Sequence, residues 1–382
     1  MTQEVLRILI VDDMATYRRI LTLAFEQIPG TEVIGVAQNG RIALSKIEST
    51  PVDLVLLDIE MPEMDGLATL DVLREKYPHI GAIMVSAANR HAAGVTMKAL
   101  QKGALDFIPK PDGGSPTESM TMLVEQLKPL VRHFSMRIRM KRTRDAGGAP
   151  ARSTVPLAPA ETLLKPVTAP PPQPSLAFPR KHFDVLAIGV STGGPNALAT
   201  LIPALPGDLG VPVLLVQHMP PVFTASLADN LNAKSKLTVR EAQEGDLVEP
   251  NHVYIAPGGC HMIVRRTVEL GKPGENMRIA LNDNPPENSC RPSVDVLFRS
   301  VAAQYGSNIL SVILTGMGSD GCEGVRVMKR RGCYTITQSE DTCVIYGMPR
   351  AVDEAGLSDL RVPLPEIAGR IAQLIQKKAP AQ

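Results

Sequence analysis

Short, wholly apolar runs, separated by helix-length segments of mixed polarity, recur along most of this 382-residue chain. In its first part the runs read "VLRILIVDD", "VDLVLLD", "GAIMVSA" and "ALDFIPK", with amphipathic stretches between them at 15–28 and 39–49. Runs that are apolar at every position are typical of strands buried on both faces of a parallel sheet. The pattern therefore predicts an α/β fold in which helices cover both faces of the sheet.

A segment rich in proline, alanine and threonine, residues 143–180, interrupts this alternation. It has no helical or strand period, and such a composition favours extended, solvated backbone. The alternation resumes in "VLAIGVS", "VPVLLVQH", "HVYIAP" and "NILSVILTG". We therefore expect two doubly wound parallel-sheet domains, 1–125 and 181–378, joined through 126–180 by a basic helix or tail and a proline-rich linker.

The charge balance and the cysteines argue against several classes of protein. Lys and Arg number 40 against 39 Asp and Glu, so the chain has no electrostatic footprint for a nucleic acid or an anionic membrane. Its five cysteines include no C-x-x-C pair, which fits neither a disulfide framework nor a zinc site. No run approaches the roughly 18 to 20 apolar residues of a membrane span, and the first residues lack the features of a secretion signal. We expect a cytoplasmic protein that neither binds nucleic acid nor inserts into a membrane.

Polar residues follow the apolar runs of the first domain, namely Asp12, Asp13, Asp58, Ser86 and Lys110. Each acid alone would equally suit a turn or a helix cap. The carboxyl ends of parallel strands line one edge of a sheet, however, so the whole set is expected to converge. Carboxylates in such a cluster repel one another, and a hard cation with oxygen ligands, Mg²⁺, would neutralise them. A carboxylate beside this cation and a lysine can accept a phosphoryl group.

Over about residues 5–125 the sequence resembles the receiver domain of two-component response regulators, in the motifs "VDD", "LLDIEMPEMDG", "VSA" and "PKP". The resemblance implies a flavodoxin-like fold, with Asp58 as the phosphoacceptor and a CheA-type histidine kinase as the phosphodonor. It implies Asp12, Asp13 and Asp58 as the Mg²⁺ ligands. The residues implied to respond to the phosphoryl group are Ser86, Phe107 and Lys110.

The second domain opens with "FDVLAIGVSTGG", in which residues 189–193 fit the G-x-S-x-G pattern of a nucleophile elbow around Ser191. A phosphate-binding loop would need a lysine or a glycine spacing that this stretch lacks. From these residues alone, a nucleophile and a merely structural turn remain equally open.

Two further residues favour the nucleophile. His218 ends the run "VPVLLVQ", and Asp320 lies in "LTGMGSDG" after another apolar run. Alone, His218 would more often be structural, and Asp320 could cap a helix. Together with Ser191 they can reach one sheet edge, where a Ser–His–Asp relay is possible. Backbone amides near Thr192 and Met317 could then hold an oxyanion.

Over about residues 181–375 the sequence resembles the catalytic domain of the CheB-type chemotaxis methylesterases, in "GVSTGGP", "VQHMP", "YIAPGGCHM", "RPSVDVLF" and "LTGMGSDG". The resemblance implies a three-layer, Rossmann-like αβα domain with Ser191, His218 and Asp320 as its triad. It implies hydrolysis of glutamate γ-methyl esters on methylated chemoreceptors to glutamate and methanol, with deamidation of particular glutamines. It also implies activation by phosphorylation of the receiver. Nothing in the sequence predicts a cofactor for the esterase step, because the leaving methanol needs only general acid assistance.

Other interpretations stay open. The second domain could capture a partner without turnover, in which case Ser191 would be dispensable. A DNA-binding response regulator is disfavoured because the second half shows no helix-turn-helix signal with a basic face. His261 and Arg291 could line a substrate groove or have structural roles.

Overall fold

The computed structural model describes residues 5–111, 116–146, 182–268 and 275–376. These residues form two α/β domains, the first of which ends in a long helix. The basic segment expected after residue 125 is part of that helix, whereas residues 147–180 of the expected linker lie outside the described ranges. Within those ranges, no helix is both long enough and apolar enough to cross a membrane.

The first domain alternates strands and helices in the order that the apolar runs predicted. Its elements are β1 (Leu6–Val11), α1 (Ala15–Glu26), β2 (Thr31–Ala37), α2 (Gly40–Ser49), β3 (Leu54–Asp58), α3 (Gly66–Lys76), β4 (Gly81–Ser86), α4 (Arg90–Gln101), β5 (Asp106–Pro109) and α5 (Pro116–Ala146). The five strands pair in parallel in the order β2-β1-β3-β4-β5. This doubly wound order brings the carboxyl ends of β1, β3, β4 and β5 to one edge.

Helix caps fix how several loops leave this edge. The side chains of Asn39, Asp65 and Asn89 each accept a hydrogen bond from a backbone amide three residues ahead, at the starts of α2, α3 and α4. Such caps satisfy amides that have no partner within the helix. Strands β3 and β4 are buried at every position because helices cover both of their faces.

The second domain is also α/β, with an antiparallel hairpin added. Its elements are β6 (Val185–Val190), α6 (Gly194–Ala204), β7 (Val213–Gln217), α7 (Phe223–Asn232), β8 (Thr238–Glu241), β9 (His252–Ile255), β10 (His261–Val268), β11 (Glu275–Asn282), α8 (Val294–Tyr305), β12 (Ile309–Ile313), α9 (Cys322–Arg330), β13 (Tyr334–Gln338), α10 (Met348–Glu354), β14 (Leu360–Val362) and α11 (Leu364–Ile375). Seven strands form a parallel sheet in the order β14-β13-β12-β6-β7-β9-β8, and β10 pairs with β11. Because β12, β6 and β7 are neighbours, the loops that follow them start from adjacent points on the sheet edge.

A glycine sets the depth of packing at the centre of this sheet. A Cβ on Gly189 in β6 would lie 2.4 Å from Cγ1 of Val294, the first residue of α8. The missing side chain therefore lets α8 pack directly against the strand that leads to Ser191. Helix α8 contributes Val294, Leu297 and Phe298 to the core of this domain.

Candidate active site

Ser191 lies at the start of the tight turn between β6 and α6. Its amide donates to the Thr315 carbonyl at 3.0 Å, and its carbonyl accepts from the Gly194 amide at 2.7 Å. Gly193 has a φ of 73°, and a Cβ there would lie 2.5 Å from Val344. Glycine is therefore required at this turn for both its conformation and its size. The structure thus places the serine at a sharp strand-to-helix turn, as a nucleophile elbow would.

His218 and Asp320 meet beside this turn. His218 directly follows β7, and its Nε2 lies 2.7 Å from Asp320 Oδ2. The Asp320 carboxylate also accepts hydrogen bonds from the Ser293 hydroxyl at 2.8 Å and from the Val294 amide at 2.7 Å. The Asn288 side-chain amide donates to the same carboxylate at 2.9 Å. Charged acceptors with several donors form strong hydrogen bonds, so this network fixes the orientation of the imidazole.

The two groups shift each other's pKa in opposite directions. Burial favours the neutral carboxyl, but the hydrogen bond and charge of His218 outweigh it and lower the pKa of Asp320 well below its usual range. Burial would likewise lower the pKa of His218, but its contacts with Asp320 and Cys290 raise it to about 9. The site therefore stabilises the imidazolium that forms when histidine accepts a proton.

The link between serine and histidine is not made in this arrangement. His218 Nδ1 lies 3.5 Å from Cys290 Sγ, and no hydrogen bond between the Ser191 hydroxyl and His218 occurs among the described residues. Ser191 and His218 nevertheless line one cleft of about 210 Å³. Of the predicted relay, the histidine–aspartate contact is formed, and the serine lines the same cleft without a hydrogen bond to the histidine.

Thr192 and Met317, the residues predicted near an oxyanion site, line the same cleft. Within the described part of the chain, neither of their backbone amides donates a hydrogen bond. Both amides are therefore available to an oxygen atom that carries negative charge.

Several supporting residues were not anticipated from the sequence. Gln217 donates from its side chain to the backbone carbonyls of Ser191 at 2.9 Å and His218 at 3.1 Å. It thereby ties together the two loops that carry the candidate nucleophile and base. A glutamine that ends the apolar run "VPVLLVQ" was a usable signal, because buried polar groups in strands need partners. Asn288 and Ser293 gave no such signal, because they lie in an irregular loop.

Two residues left open between groove and structural roles have structural contacts. His261 is 1% exposed, accepts from the Ser293 amide at 3.2 Å and lies 3.1 Å from the Pro285 carbonyl through its other ring nitrogen. Arg291 donates to the Asp283 carbonyl at 2.8 Å. Both side chains stabilise the loop before α8.

The polar residues of the first domain also converge. Lys110 Nζ lies 2.7 Å from Asp58 Oδ2 and 2.9 Å from Asp12 Oδ2. Oxygen atoms of Asp12, Asp13 and Asp58 lie within 4.8 Å of one another. Burial, reinforced by the charge of Asp12 and opposed by Lys110, raises the pKa of Asp58 to about 6. Asp12 Oδ2 is buried beside Lys110, and the three converging carboxylates are the oxygen ligands that a hard cation such as Mg²⁺ prefers.

The predicted responding residues connect this acidic cluster to the second domain. Ser86 is fully buried at the end of β4, with its hydroxyl 2.8 Å from that of Thr96 in α4. The ring of Phe107 in β5 packs against that of Phe223 in α7, with centroids 4.5 Å apart. Phe107 therefore lies in the interface between the domains.

A buried carboxylate joins the domains at the turn that carries Ser191. The Gly193 amide donates to Asp106 Oδ2 at 3.3 Å, and the Phe107 amide donates to Oδ1 at 2.9 Å. Burial raises the pKa of Asp106 to about 6 despite these hydrogen bonds. Asp106 and Phe107 also line the cleft that contains Ser191 and His218, so the first domain covers one side of the candidate site.

Comparison with known proteins matches both halves of the chain. The family model for CheB methylesterase matches residues 186–371, and that for the response regulator receiver domain matches residues 8–117. A solved structure, the CheB methylesterase catalytic domain of Thermotoga maritima, is 40% identical and covers 50% of this chain and 98% of its own, with a TM-score of 0.47.

Two relatives match this chain over nearly its whole length. A protein-glutamate methylesterase/protein-glutamine glutaminase of Desulfotalea psychrophila is 43% identical, over 97% of this chain and 99% of its own. A protein of the same name from Archaeoglobus fulgidus is 40% identical, over 98% of this chain and 99% of its own. The chain therefore belongs to the CheB methylesterase family, with a response regulator receiver domain ahead of the methylesterase domain.

Proposed function

We propose that this protein is a serine esterase that hydrolyses glutamate γ-methyl esters on methylated chemoreceptors, under the control of its receiver domain. The observation that carries the proposal is the His218–Asp320 pair beside Ser191, which stands at a strand-to-helix turn in the same cleft. The names of the full-length relatives support both ester hydrolysis and deamidation of glutamine.

In the first half of the reaction, Ser191 Oγ attacks the ester carbonyl carbon while its proton passes to His218. The carbonyl oxygen becomes an oxyanion, which the amides of Thr192 and Met317 can stabilise. Asp320 holds the imidazole and stabilises its charged form. The bond to the methoxy oxygen then breaks, and His218 returns the proton to release methanol. An ester between Ser191 and the glutamyl side chain remains.

Water completes the cycle by the same proton transfers. It attacks the acyl carbon while His218 accepts its proton, and the bond to Ser191 Oγ breaks as that oxygen regains a proton. The product is a glutamate carboxylate. A glutamine side chain would follow the same path with ammonia as the leaving group, which accounts for a deamidase activity on the same residues.

The receiver domain supplies control. A phosphoryl group from a CheA-type histidine kinase would be accepted by Asp58, beside Lys110. Mg²⁺ held by Asp12, Asp13 and Asp58 would neutralise the charge of the incoming group. The response proposed for Ser86 and Phe107 would then weaken the contacts of β5 with Gly193 and Phe223, and the receptor could enter the cleft.

The test is product release from purified receptors. Methyl-esterified receptor should yield methanol, receptor carrying glutamine at the same positions should yield ammonia, and a small phosphodonor should raise both rates. A protein that binds methylated receptor tightly and releases no methanol, with or without phosphodonor, would instead be a regulated binding protein. An Asp58→Ala protein that responds fully to the phosphodonor would contradict the proposed control.

A further inference from the structure

We propose that Cys290 is a positioning residue for this reaction. In the docked arrangement of the two domains its thiol holds Nδ1 of His218 and keeps that nitrogen from the Ser191 hydroxyl. The inference rests on the proposed function, because it takes His218 to be the base. It adds a residue that sets how readily this base accepts a proton.

The ring nitrogens of His218 identify the atom that must act. Nε2 is engaged with Asp320 at 2.7 Å, so Nδ1 is the nitrogen left to take the proton from Ser191. A histidine accepts a proton only through a ring nitrogen whose lone pair is free. That nitrogen lies 3.5 Å from Cys290 Sγ, a hydrogen-bond distance for sulfur. Whether the shared proton resides on sulfur or on nitrogen, Nδ1 is occupied.

A well-defined turn holds the thiol in this position. Glu287 and Cys290 exchange backbone hydrogen bonds of 3.1 and 2.9 Å. Between them, Asn288 and Ser289 have φ values of 53° and 60°, in the left-handed region that tight two-residue turns require. The Asn288 side chain donates to Asp320 at 2.9 Å. The turn that carries Cys290 is thus bonded to the same carboxylate that orients His218.

An ion pair anchors the start of this turn. Arg299 in α8 donates to Glu287 Oε1 at 2.7 Å, and this contact lowers the pKa of Glu287. The contacts of Glu287 and Asn288 anchor the start of the turn, and the backbone hydrogen bonds between Glu287 and Cys290 tie its end to this anchor. Cys290 is thereby held beside His218.

The other cysteines have different surroundings. Cys322 and Cys333 are buried and donate to backbone carbonyls, and Cys343 lies 3.8 Å from the Gln338 carbonyl. Cys260 is half-buried, and its sulfur forms no hydrogen bond with the described residues. Cys290 differs from them in facing an imidazole, and Cys260 provides a matched control.

The contact has a measurable consequence for protonation. Asp320 and Cys290 together raise the pKa of His218 to about 9, so most of the imidazole carries a proton at neutral pH. Removing the thiol should lower this pKa and free Nδ1. At a fixed pH below the pKa of His218, each unit by which this pKa falls increases the neutral, proton-accepting fraction of the imidazole about tenfold.

The experiment compares full-length Cys290→Ala, Cys290→Ser and Cys260→Ser proteins. NMR of histidine-labelled protein, with the His218 signal assigned from a His218→Gln variant, follows the titration of the imidazole. Methanol release without phosphodonor is measured over a range of pH, with kcat and KM separated. We expect the His218 titration and the acidic limb of kcat to move to lower pH in Cys290→Ala, less so in Cys290→Ser, and not in Cys260→Ser.

The two readouts separate this inference from the proposed function. Suppose that Ser191→Ala abolishes methanol release but the Cys290 variants change neither the His218 titration nor the acidic limb of the pH profile of kcat. The inference about Cys290 is then wrong, and the proposed esterase function is retained. If wild-type protein releases no methanol, the proposed function fails, and an unmoved His218 titration would overturn the Cys290 contact independently. Retention of the wild-type fold in Cys290→Ser guards against a packing defect in the alanine variant.

Discussion

Replacing Phe107 by alanine should partly release the esterase from control by the receiver domain. The Phe107 ring packs on the fully buried Phe223 at a centroid distance of 4.5 Å with 32° between the ring planes. This pair joins β5 of the receiver to the start of α7, shortly after His218. Its loss should favour the arrangement in which the domains are apart.

The size of the effect follows from the contact. An aromatic pair contributes about 1 kcal/mol beyond the area it buries. Phe107 is half-buried, so truncation also removes about 1 kcal/mol of apolar burial. A total of about 2 kcal/mol corresponds to roughly a 30-fold shift toward the open arrangement.

The assay is methanol release from methylated receptor without phosphodonor. We expect Phe107→Ala to raise this basal rate by up to about 30-fold, with the phosphorylated wild-type rate as the ceiling, so that stimulation by phosphodonor shrinks accordingly. Phe107→Leu should have a smaller effect, and Met122→Ala, at a solvent-exposed position of α5, should have none. A correctly folded Phe107→Ala protein with the basal rate of the wild type would refute the reasoning.

Three further predictions address the triad, the phosphoacceptor and the buried interface carboxylate. Asp320→Asn places an amide among five hydrogen-bond donors. It should lower kcat for methanol release by about 10⁴, as the corresponding change does in a serine protease. An unchanged kcat would exclude the Ser–His–Asp relay. Asp58→Asn should retain the basal rate of methanol release and lose the response to a small phosphodonor. Chelation of Mg²⁺ should abolish the same response in the wild type. Both are measured as the rate of methanol release over a series of phosphodonor concentrations. Burial raises the pKa of Asp106 from 3.8 to about 6, so its contribution to docking is complete at low pH and is lost as pH rises through about 6. The basal rate of Asp106→Asn relative to wild type should therefore fall between pH 5 and 7, and a ratio independent of pH would contradict this account.

The sequence was most informative where polar residues end buried strands. Asp58, Ser86 and His218 could be placed because the carboxyl ends of parallel strands meet at one edge whatever the details of packing. Ser191 could be placed by the same rule, and the glycines around it indicated a tight turn. These positions follow from periodicity and chain order alone.

The unpredicted residues depend on tertiary placement. Cys290 and Asn288 lie in a turn before α8 whose side-chain partners are distant in sequence: Asn288 contacts Asp320, 32 residues further along the chain, and Cys290 contacts His218, 72 residues earlier. The contact of Asp106 with Gly193 depends on which face of the receiver meets the second domain, and the periodicity of neither domain specifies that face. The pairing of β10 with β11 was not predicted, because both strands contain charged residues and form a separate two-stranded hairpin instead of entering the main sheet.

The most direct test of the central claim is methanol release from methyl-esterified chemoreceptor by wild-type and Ser191→Ala proteins at equal concentration, each with and without a phosphodonor. The account predicts release by the wild type that rises with the phosphodonor, and a loss on the order of 10⁶ in kcat when the nucleophile is removed. Equal release from the two proteins, or wild-type release that ignores the phosphodonor, would contradict it.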